Sequence, residues 1–409
     1  MSQPLRVIVV GAGASHESRT TGLSGLAIAQ GLEKNGIDYV VVDKESEPRD
    51  RNWGVTIAWS LPLLAQLLPE ALYDRLPECQ PDPGLDTKAA GFESVIIRDG
   101  QTGATIVQPP FPGVRRLNIQ KTRTIWSTGV NVKFGKTLTD IELTDDGVTA
   151  HFHDGTSESG SVLVGCDGGG SWVRRWMLGN DKGTSVVLPY TFLNFPFRYP
   201  AERAIKMDKM MHPIVDVAVH PKSMYIGIFL LDKPDLDRPE TWVFYILATW
   251  AQDNKSAPDA SSADINMVAE LKQRMDDWAD PFKSAVEWIP DHVQAKAVPL
   301  RIWGPPDSGW DNRRGRVTLA GDAAHSMTFH RGQGANNALC DSQKFVSAMV
   351  KVKNGGNTLA EAVDEYDADV ISRGRAEVEV SKVQTDYFHD HANFHNSPVM
   401  RLGIKPQSK

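Results

Sequence analysis

The sequence predicts an α/β protein in which a Rossmann-like domain of the three-layer ββα type carries an inserted mixed β-sheet domain and ends in helices. Three short, mainly apolar runs support this class, at 5–13, 162–168 and 317–322, and each ends in glycine or aspartate. Unbroken apolar runs of this length are typical of buried parallel strands. Between the second and third runs, residues 185–304 contain longer apolar strands separated by charged turns, which is typical of a sheet that covers a pocket.

The first run opens a predicted βαβ unit. Residues 5–13 read as a strand that enters a glycine turn, 25–36 as a helix and 38–43 as a second strand. In a dinucleotide-binding unit the glycines let the backbone approach a pyrophosphate, and an acid at the end of the second strand holds a ribose. Gly11 and Gly13 occupy the first two glycine positions of the motif, and Asp43 is the candidate acid.

The third glycine of this motif is displaced along the chain. Position 16, where the motif requires glycine, holds His16. The ribose acid is expected about 20 residues after the last glycine, and Asp43 follows His16 by 27 residues but Gly25 by 18. We therefore assign Gly25 as the third glycine and interpret residues 14–22 as an inserted polar loop. The insertion is either a loop that bulges outward or an error of gene prediction, and we favour the second.

The other two runs also place acids at strand ends. The strand at 162–165 leads to Asp167, after which Ser171 can cap the next helix. The strand at 317–320 leads to Asp322, for which hydrogen bonding to a ligand hydroxyl explains the residue better than proton transfer. Residues 332–336 then open a helix whose N–H groups and positive dipole end suit an anionic or carbonyl-rich ring.

Composition excludes several classes of function. A net charge of −7 without a basic stripe argues against a nucleic-acid partner. The three cysteines are isolated, so we expect neither disulfides nor a thiolate site, and the pair His391 and His395 lacks a third ligand, so no metal site is predicted. No secretory signal and no apolar run of transmembrane length is found. We expect a cytoplasmic protein, for which peripheral membrane contact stays open.

Together these motifs resemble the class A flavoprotein monooxygenases that are similar to para-hydroxybenzoate hydroxylase, with fungal secondary-metabolite enzymes as the nearest group. The family pattern Gly-Asp-Ala-Ala-His, a gap, Gly-Gln-Gly-x-Asn and a later Asp is matched by Gly321, Asp322, Ala323, Ala324, His325, Gly332, Gln333, Gly334, Asn336 and Asp341. The resemblance implies FAD as cofactor and NADPH or NADH as reductant. It further implies that one oxygen atom of O₂ is inserted, by hydroxylation or epoxidation, into a small apolar substrate.

The resemblance also implies a domain division and a set of cofactor contacts. Residues 1–184 and 305–409 would form a discontinuous FAD-binding domain, and 185–304 the substrate-binding sheet. Relatives carry an arginine in a helix similar to L-N-R-Q-K-L-R, where this chain has Ile119, and we take Arg116 as its substitute. The expected FAD-binding residues are Gly11, Gly13, Gly25, Asp43, Gly54, Arg116, Asp167, Asp322, Gly332, Gly334, Ala335 and Asn336.

Candidate catalytic residues come from the inserted sheet. Period-two alternation places Asn194 and Arg198 on one strand face, and Tyr225 and Phe229 on one face of another strand. In fungal relatives an arginine and a tyrosine on these sheets are thought to orient the substrate, so Arg198 and Tyr225 are our candidates, with a structural role equally open. Residues 328–330 also depart from the family, which carries a proline-bearing segment before the Gly-Gln-Gly turn.

Two alternatives to a monooxygenase remain at this point. The chain could be a non-catalytic relative in which the insertion at 14–22 impairs FAD binding. It could also be a flavin oxidase or dehydrogenase that inserts no oxygen. The substrate and the oligomeric state are not determined by these patterns.

Overall fold

A computed structural model of the chain describes residues 4–12, 23–47, 52–145, 147–252 and 266–404. The assignments of Gly13 and of the inserted loop at 14–22 lie outside these residues. The strands are β1 (Arg6–Val10), β2 (Asp38–Val42), β3 (Gly54–Ile57), β4 (Ile96–Asp99), β5 (Thr105–Val107), β6 (Arg115–Asn118), β7 (Val132–Lys133), β8 (Leu138–Leu143), β9 (Val148–Phe152), β10 (Ser157–Gly160), β11 (Val162–Gly165), β12 (Val186–Phe197), β13 (Asp216–His220), β14 (Met224–Asp232), β15 (Val243–Ala251), β16 (Ala297–Ile302) and β17 (Val317–Leu319). The helices are α1 (Leu23–Lys34), α2 (Leu61–Leu67), α3 (Glu70–Tyr73), α4 (Ile119–Trp126), α5 (Trp172–Gly183), α6 (Ala201–Met210), α7 (Met267–Gln273), α8 (Phe282–Glu287), α9 (Asp322–His325), α10 (Gly334–Lys353), α11 (Leu359–Phe388) and α12 (Pro398–Leu402).

The three predicted strand runs meet in one parallel sheet, in the order β17, β11, β1, β2, β7. Their apolar side chains are almost fully buried, as expected for a parallel sheet covered on both faces. The antiparallel strands β8 to β10 and helices such as α1 and α10 share one core with this sheet. The predicted three-layer ββα arrangement is therefore confirmed, and the C-terminal ends of β1, β11 and β17 lie at the same edge of the sheet.

The second sheet has seven strands in the order β16, β12, β15, β14, β13, β4, β5. All of its pairings are antiparallel except β13 with β4, so the sheet is mixed, as predicted. Two of its strands, β4 and β5, come from the chain before residue 185, and their short, partly polar sequences gave no clear strand signal. The division at 184 and 304 stays a prediction, but the pocket-covering sheet draws strands from both sides of the first boundary.

Helices pack against both sheets, and the residues at the ends of α4 and α11 match local helix-capping signals. The predicted C-terminal helices include α11, which begins with a capping box between Thr358 and Glu361. The helix predicted around Ile119 is α4, where the Asn118 side chain accepts hydrogen bonds from the first backbone N–H groups. Arg116 precedes this helix and belongs to β6. Within the described part of the chain, no helix is long and apolar enough to cross a membrane.

Candidate functional site

The turn after β1 packs directly against the start of α1. Gly11 has a φ of +103°, a conformation that glycine adopts without strain. A Cβ atom added to Gly25 would lie 2.0 Å from the carbonyl oxygen of Gly11, so only glycine permits this approach. Close packing of helix on strand is the role of the third glycine in the dinucleotide motif. Gly25 thus occupies the structural position to which the spacing argument assigned it.

Asp43 follows β2 and is buried beside this turn. One carboxylate oxygen accepts a hydrogen bond from the backbone N–H of Ala12 at 2.8 Å, and the other accepts from that of Glu45 at 3.0 Å. The acid therefore ties the end of the second strand to the glycine turn. Its expected contact with a ribose stays a prediction.

Asp167 caps α5 with its side chain. Its carboxylate accepts hydrogen bonds from the Ser171 hydroxyl at 2.5 Å and from the N–H groups of Trp172 and Val173 at 2.6 and 3.1 Å. Ser171 itself accepts from the N–H of Arg174, as predicted for a helix cap. Both oxygens of Asp167 are engaged by the protein, so the structure gives this residue a positioning role. Its direct contact with FAD or a nicotinamide cofactor stays a prediction.

Asp322 differs from the other two acids because its carboxylate has no partner among the residues that the structure describes. Both oxygens are buried and accept no hydrogen bond within the described structure. Burial raises the pKa of Asp322 to about 7, although His325 and Arg174 oppose the rise. A buried polar group without a partner is costly, so this carboxylate is suited to a ligand hydroxyl. The expected contact of Asp322 with FAD stays a prediction.

A buried ion-paired cluster supports the turn before Asp322. Asp341 accepts a hydrogen bond from the N–H of Gly321 at 2.7 Å and contacts His325 and Arg373, each at 2.6 Å. Burial by itself would raise the pKa of Asp341, but His325 and Arg373 outweigh it and hold the pKa below its ordinary value. The later aspartate of the family pattern therefore stabilises the loop, and His325 is engaged with it.

The Gly-Gln-Gly turn begins α10. Gly332 has a φ of +64°, in the left-handed region that favours glycine, and the helix begins at Gly334. Gly334 and Ala335 both line the large cavity described below. The first N–H groups of a helix have no partner within the helix, so the start of α10 offers donors to a carbonyl-rich group in that cavity.

Asn336 connects this turn to β3. Its side-chain oxygen accepts hydrogen bonds from the N–H of Ala58 and the hydroxyl of Ser60, both at 2.9 Å. Its amide nitrogen donates to the carbonyl oxygens of Thr56 and Gly332, both at 3.1 Å. The amide is fully occupied and fully buried, so the side chain positions the helix start, and its expected contact with FAD stays a prediction.

A cavity of about 230 Å³ lies between the start of α10 and the seven-stranded sheet. Its walls are mainly apolar and aromatic, as is usual for a site that takes a small organic molecule. Of the predicted site residues, those that line it are Gly54, Arg116, Tyr225, Gly332, Gly334 and Ala335. The remaining described ones, which do not line it, are Gly11, Gly25, Asp43, Asp167, Arg198, Asp322 and Asn336.

Arg198 corrects one prediction from strand alternation. Asn194, which shares its expected face, does line the cavity. However, β12 ends at Phe197, and Arg198 is exposed beyond the cavity. Alternation predicts which way a side chain points, but it does not predict how far along the strand the cavity extends. Arg198 is therefore not among the residues that line this cavity, contrary to the expectation.

Residues 328–330 stand where the family carries a proline-bearing segment. They are held in place by hydrogen bonds that involve two histidines, His330 and His389. Nδ1 of His389 donates a hydrogen bond to the carbonyl oxygen of Thr385 at 2.7 Å. In a neutral ring the other nitrogen, Nε2, then carries no proton and accepts from the Thr249 hydroxyl at 2.9 Å. That hydroxyl lies 3.2 Å from Nε2 of His330, and the Thr385 hydroxyl lies 2.9 Å from its Nδ1. Both nitrogens of His330 are engaged, so the ring presents its apolar surface to the cavity. No sequence pattern indicates that residues 330 and 389 lie close together.

Burial lowers the pKa of His330 well below its ordinary value, and that of His389 to about 4. Both rings are therefore neutral at physiological pH. Nearby in the C-terminal segment, His391 contacts Asp99 at 2.8 Å. Among the described residues, no group of three or more His, Cys, Asp or Glu side chains could hold a metal ion.

Comparisons with known proteins agree with this geometry. A family model described as an FAD binding domain matches residues 123–381. The chain is 32% identical over 413 residues to the FAD-dependent monooxygenase phnB of Penicillium herquei, an alignment that covers 99% of this chain and 96% of the relative. It is 30% identical to the FAD-dependent monooxygenase cctM of Talaromyces islandicus, with 98% of each chain covered.

Solved structures show the same fold. HpxO of Klebsiella pneumoniae, complexed with FAD and uric acid, matches with a TM-score of 0.75 at 20% identity, over 99% of this chain and 97% of that one. CtdE in complex with FAD and a substrate also matches with a TM-score of 0.75, at 17% identity, over 97% of this chain and 93% of that one.

Proposed function

Because this chain belongs to the family of FAD-dependent monooxygenases, we propose that it uses NADPH or NADH and O₂ to insert one oxygen atom into a small aromatic or otherwise apolar substrate, by hydroxylation or epoxidation. The fungal relatives named above suggest a secondary-metabolite intermediate. The observation that carries the proposal is the buried Asp322 carboxylate, which accepts no hydrogen bond from the described residues and lies shortly before the cavity-lining segment that begins at Ser326.

The residues present fit FAD. Gly11 and Gly25 let the end of β1 and the start of α1 pack closely, as in a dinucleotide-binding unit, and Asp43 lies beside Ala12. Asp322 would accept hydrogen bonds from the ribityl hydroxyls, and the first N–H groups of α10 would donate to the carbonyl oxygens of the flavin ring. When bound and reduced, FAD supplies the activation of O₂.

The task of the protein is then to hold the substrate beside the flavin and to keep water away. Phe192 and Phe329 stack with their ring centroids 4.8 Å apart, and Tyr225 contacts His330 edge to face at 4.7 Å. Such aromatic walls exclude water and offer flat surfaces to an aromatic substrate. The hydrogen bonds of His330 keep its ring fixed in this wall, so the residue shapes the cavity without exchanging protons.

The first test is cofactor binding. The purified protein should be yellow, with about one FAD per chain by absorbance, and should oxidise NADPH faster when a suitable substrate is added. Asp322→Ala should lower FAD affinity by about 10- to 100-fold, because a charge-assisted hydrogen bond is worth about 1.5–3 kcal/mol. Glu379→Ala, which changes an exposed carboxylate, is the matched control and should bind FAD as the parent protein does.

Two outcomes would contradict the proposal. Colourless protein that fails to take up added FAD would indicate a non-catalytic relative, and deleting residues 14–22 should then restore binding. Products that contain no ¹⁸O after reaction under ¹⁸O₂ would indicate an oxidase or a dehydrogenase. The cytoplasmic location stays a prediction.

A further inference from the structure

Asn194 brings an amide into the wall of the large cavity. It belongs to β12 and lines the cavity together with Tyr245 and Leu247 of the neighbouring strand β15. Its Oδ1 accepts a hydrogen bond from the Tyr245 hydroxyl at 2.7 Å, whereas its Nδ2 is buried and has no hydrogen-bond partner among the described residues. A buried donor without an acceptor destabilises a folded protein, so this nitrogen is suited to an acceptor that arrives with a ligand.

The strand itself gives no reason for an asparagine at this position. Asparagine is depleted in β-strands, and Asn194 lies opposite Leu247 in the antiparallel pairing of β12 with β15. Phe192, two residues earlier and therefore on the same face of β12, also lines the cavity. A leucine or a valine would match these apolar neighbours better than an amide does. The amide is therefore explained by a contact inside the cavity and not by the packing of the sheet.

The hydrogen bond from Tyr245 decides which ligand group fits. Because Oδ1 of Asn194 already accepts from the phenol, the N–H groups of Nδ2 are the part of the amide that a ligand meets. A carbonyl oxygen accepts such a hydrogen bond and brings no donor of its own. A hydroxyl would bring an O–H group that itself needs an acceptor in a mainly apolar wall. An anion gains less from a neutral amide than from a charged donor.

We propose that Asn194, oriented by Tyr245, binds a neutral carbonyl oxygen of the substrate. This inference rests on the proposed function and narrows its substrate class to apolar molecules that carry a ketone, quinone or lactone carbonyl. Asn194 then determines specificity, because it binds the substrate at one point of an otherwise apolar wall and so fixes which part of the molecule faces the flavin.

Two other polar side chains line the same cavity and could bind the same carbonyl oxygen. The guanidinium of Arg116 lies over the ring of Phe229, 4.2 Å from the centroid, and its Nε donates one long hydrogen bond, of 3.4 Å, to the carbonyl oxygen of Leu230. The second is the buried Tyr225. The expected contact of Arg116 with FAD stays a prediction. The experiment therefore has to separate Asn194 from these two residues.

The test uses the FAD-loaded protein and two probes of nearly the same shape. The first is 2-acetylnaphthalene, which carries a ketone, and the second is 2-isopropenylnaphthalene, in which a CH₂ group replaces the ketone oxygen. Equilibrium dialysis measures the affinity of each probe. Infrared difference spectra of the ketone, labelled with ¹³C at the carbonyl, show whether its oxygen accepts a hydrogen bond, because such a bond lowers the stretching frequency. The variants are Asn194→Leu, Tyr245→Phe, Arg116→Met and Tyr225→Phe, with Asn180→Leu, at an exposed position, as the control.

The quantity compared is the affinity for the ketone divided by the affinity for the alkene. Asn194→Leu should keep its FAD, lower this ratio by about tenfold relative to the parent protein, and return the carbonyl frequency to its value in a hydrocarbon solvent. Tyr245→Phe should lower the ratio less, because the amide is still present but is no longer held in one orientation. Arg116→Met, Tyr225→Phe and Asn180→Leu should show the ratio and the frequency of the parent.

Several results would overturn the inference and leave the proposed function standing. In the first, the FAD-loaded parent and Asn194→Leu show the same ratio, or the parent does not bind the ketone. In the second, Asn194→Leu folds by circular dichroism but loses FAD, which would place the amide at the cofactor. Should Asn194→Leu fail to fold, the infrared spectra decide: a carbonyl without a hydrogen bond in the parent, or a hydrogen bond lost in Arg116→Met or in Tyr225→Phe, contradicts the role of Asn194. A parent protein that takes up no FAD would contradict the proposed function instead.

Discussion

Replacing Asp322 by Asn should stabilise the FAD-free protein in a manner that depends on pH. Burial raises the pKa of this carboxyl from 3.8 to about 7, a difference of about 3 units. Each unit corresponds to about 1.4 kcal/mol, so the ionised carboxylate costs the folded protein about 4 kcal/mol above pH 7. Asn is nearly isosteric and neutral, and it removes this cost.

The sign follows from proton binding. Between about pH 4 and pH 7 the unfolded chain has lost the proton of Asp322 while the folded chain keeps it, so the stability of the parent protein falls as pH rises through this window. The advantage of Asp322→Asn should therefore grow by about 1.4 kcal/mol per pH unit up to pH 7 and be constant above it. Other buried acids, such as Asp367, are present in both proteins and cancel in the difference.

The assay is urea unfolding of the FAD-free parent and variant, followed by tryptophan fluorescence at pH 5, 6, 7 and 8. Glu379→Gln, at an exposed position, is the control and should show no such trend. A difference in unfolding free energy between parent and Asp322→Asn that does not change with pH would refute the claim that this carboxylate is buried without a partner. Weaker FAD binding by Asp322→Asn would show that the carboxylate, although it destabilises the FAD-free protein, is needed to bind the cofactor.

Three further results are expected. The affinity of the parent protein for FAD should fall about tenfold per pH unit below pH 7, because the ribityl hydroxyls favour ionised Asp322. Asp322→Asn should lose this pH dependence, and equilibrium dialysis from pH 5 to 8 checks both results. Gly25→Ala should lose FAD and lower the melting temperature, since the new Cβ meets the carbonyl oxygen of Gly11 at 2.0 Å, whereas Gly84→Ala, with its nearest contact at 3.5 Å, should leave both unchanged. Asn336→Ala removes four hydrogen bonds that hold the start of α10, and calorimetry should show a loss of about 2–4 kcal/mol in stability, together with weaker FAD binding; an unchanged melting temperature would contradict this role.

The displaced third glycine shows how far spacing alone can reach. The distance from Gly25 to Asp43 selected Gly25, and the structure packs that glycine against Gly11. Spacing reaches this far because a βαβ unit joins neighbouring elements, so its geometry is encoded within some 40 residues of continuous chain, while the contact of Gly25 with FAD stays a prediction. The same holds for the Ser171 cap and for the turn at Gly332, each of which depends on a few adjacent residues.

The acidic residues and arginines show which features of the site could not be predicted from the sequence. Asp167 and Asp322 each follow a strand, and Asp341 lies in α10. The first caps a helix, the second accepts no hydrogen bond from the described residues, and the third is held by a histidine and an arginine. Arg198 was expected in the cavity and is exposed beyond it, whereas Arg116 was assigned to the cofactor and lies over Phe229. The cap made by Asp167 is local, but the surroundings of Asp322, Asp341 and the two arginines depend on how separate elements pack.

By itself, the sequence determined the order of strands and turns that brings three loops to one edge of a parallel sheet, because hydrophobic periodicity and glycine positions act over short stretches of chain. Only the tertiary structure decided which polar groups keep a protein partner and which are left for a ligand. The pairing of His330 with His389, the isolation of Asp322 and the open donors of Arg116 arise from packing between distant segments. Burial in turn determines the charge and the hydrogen bonds of these groups, and no local sequence pattern encodes this burial.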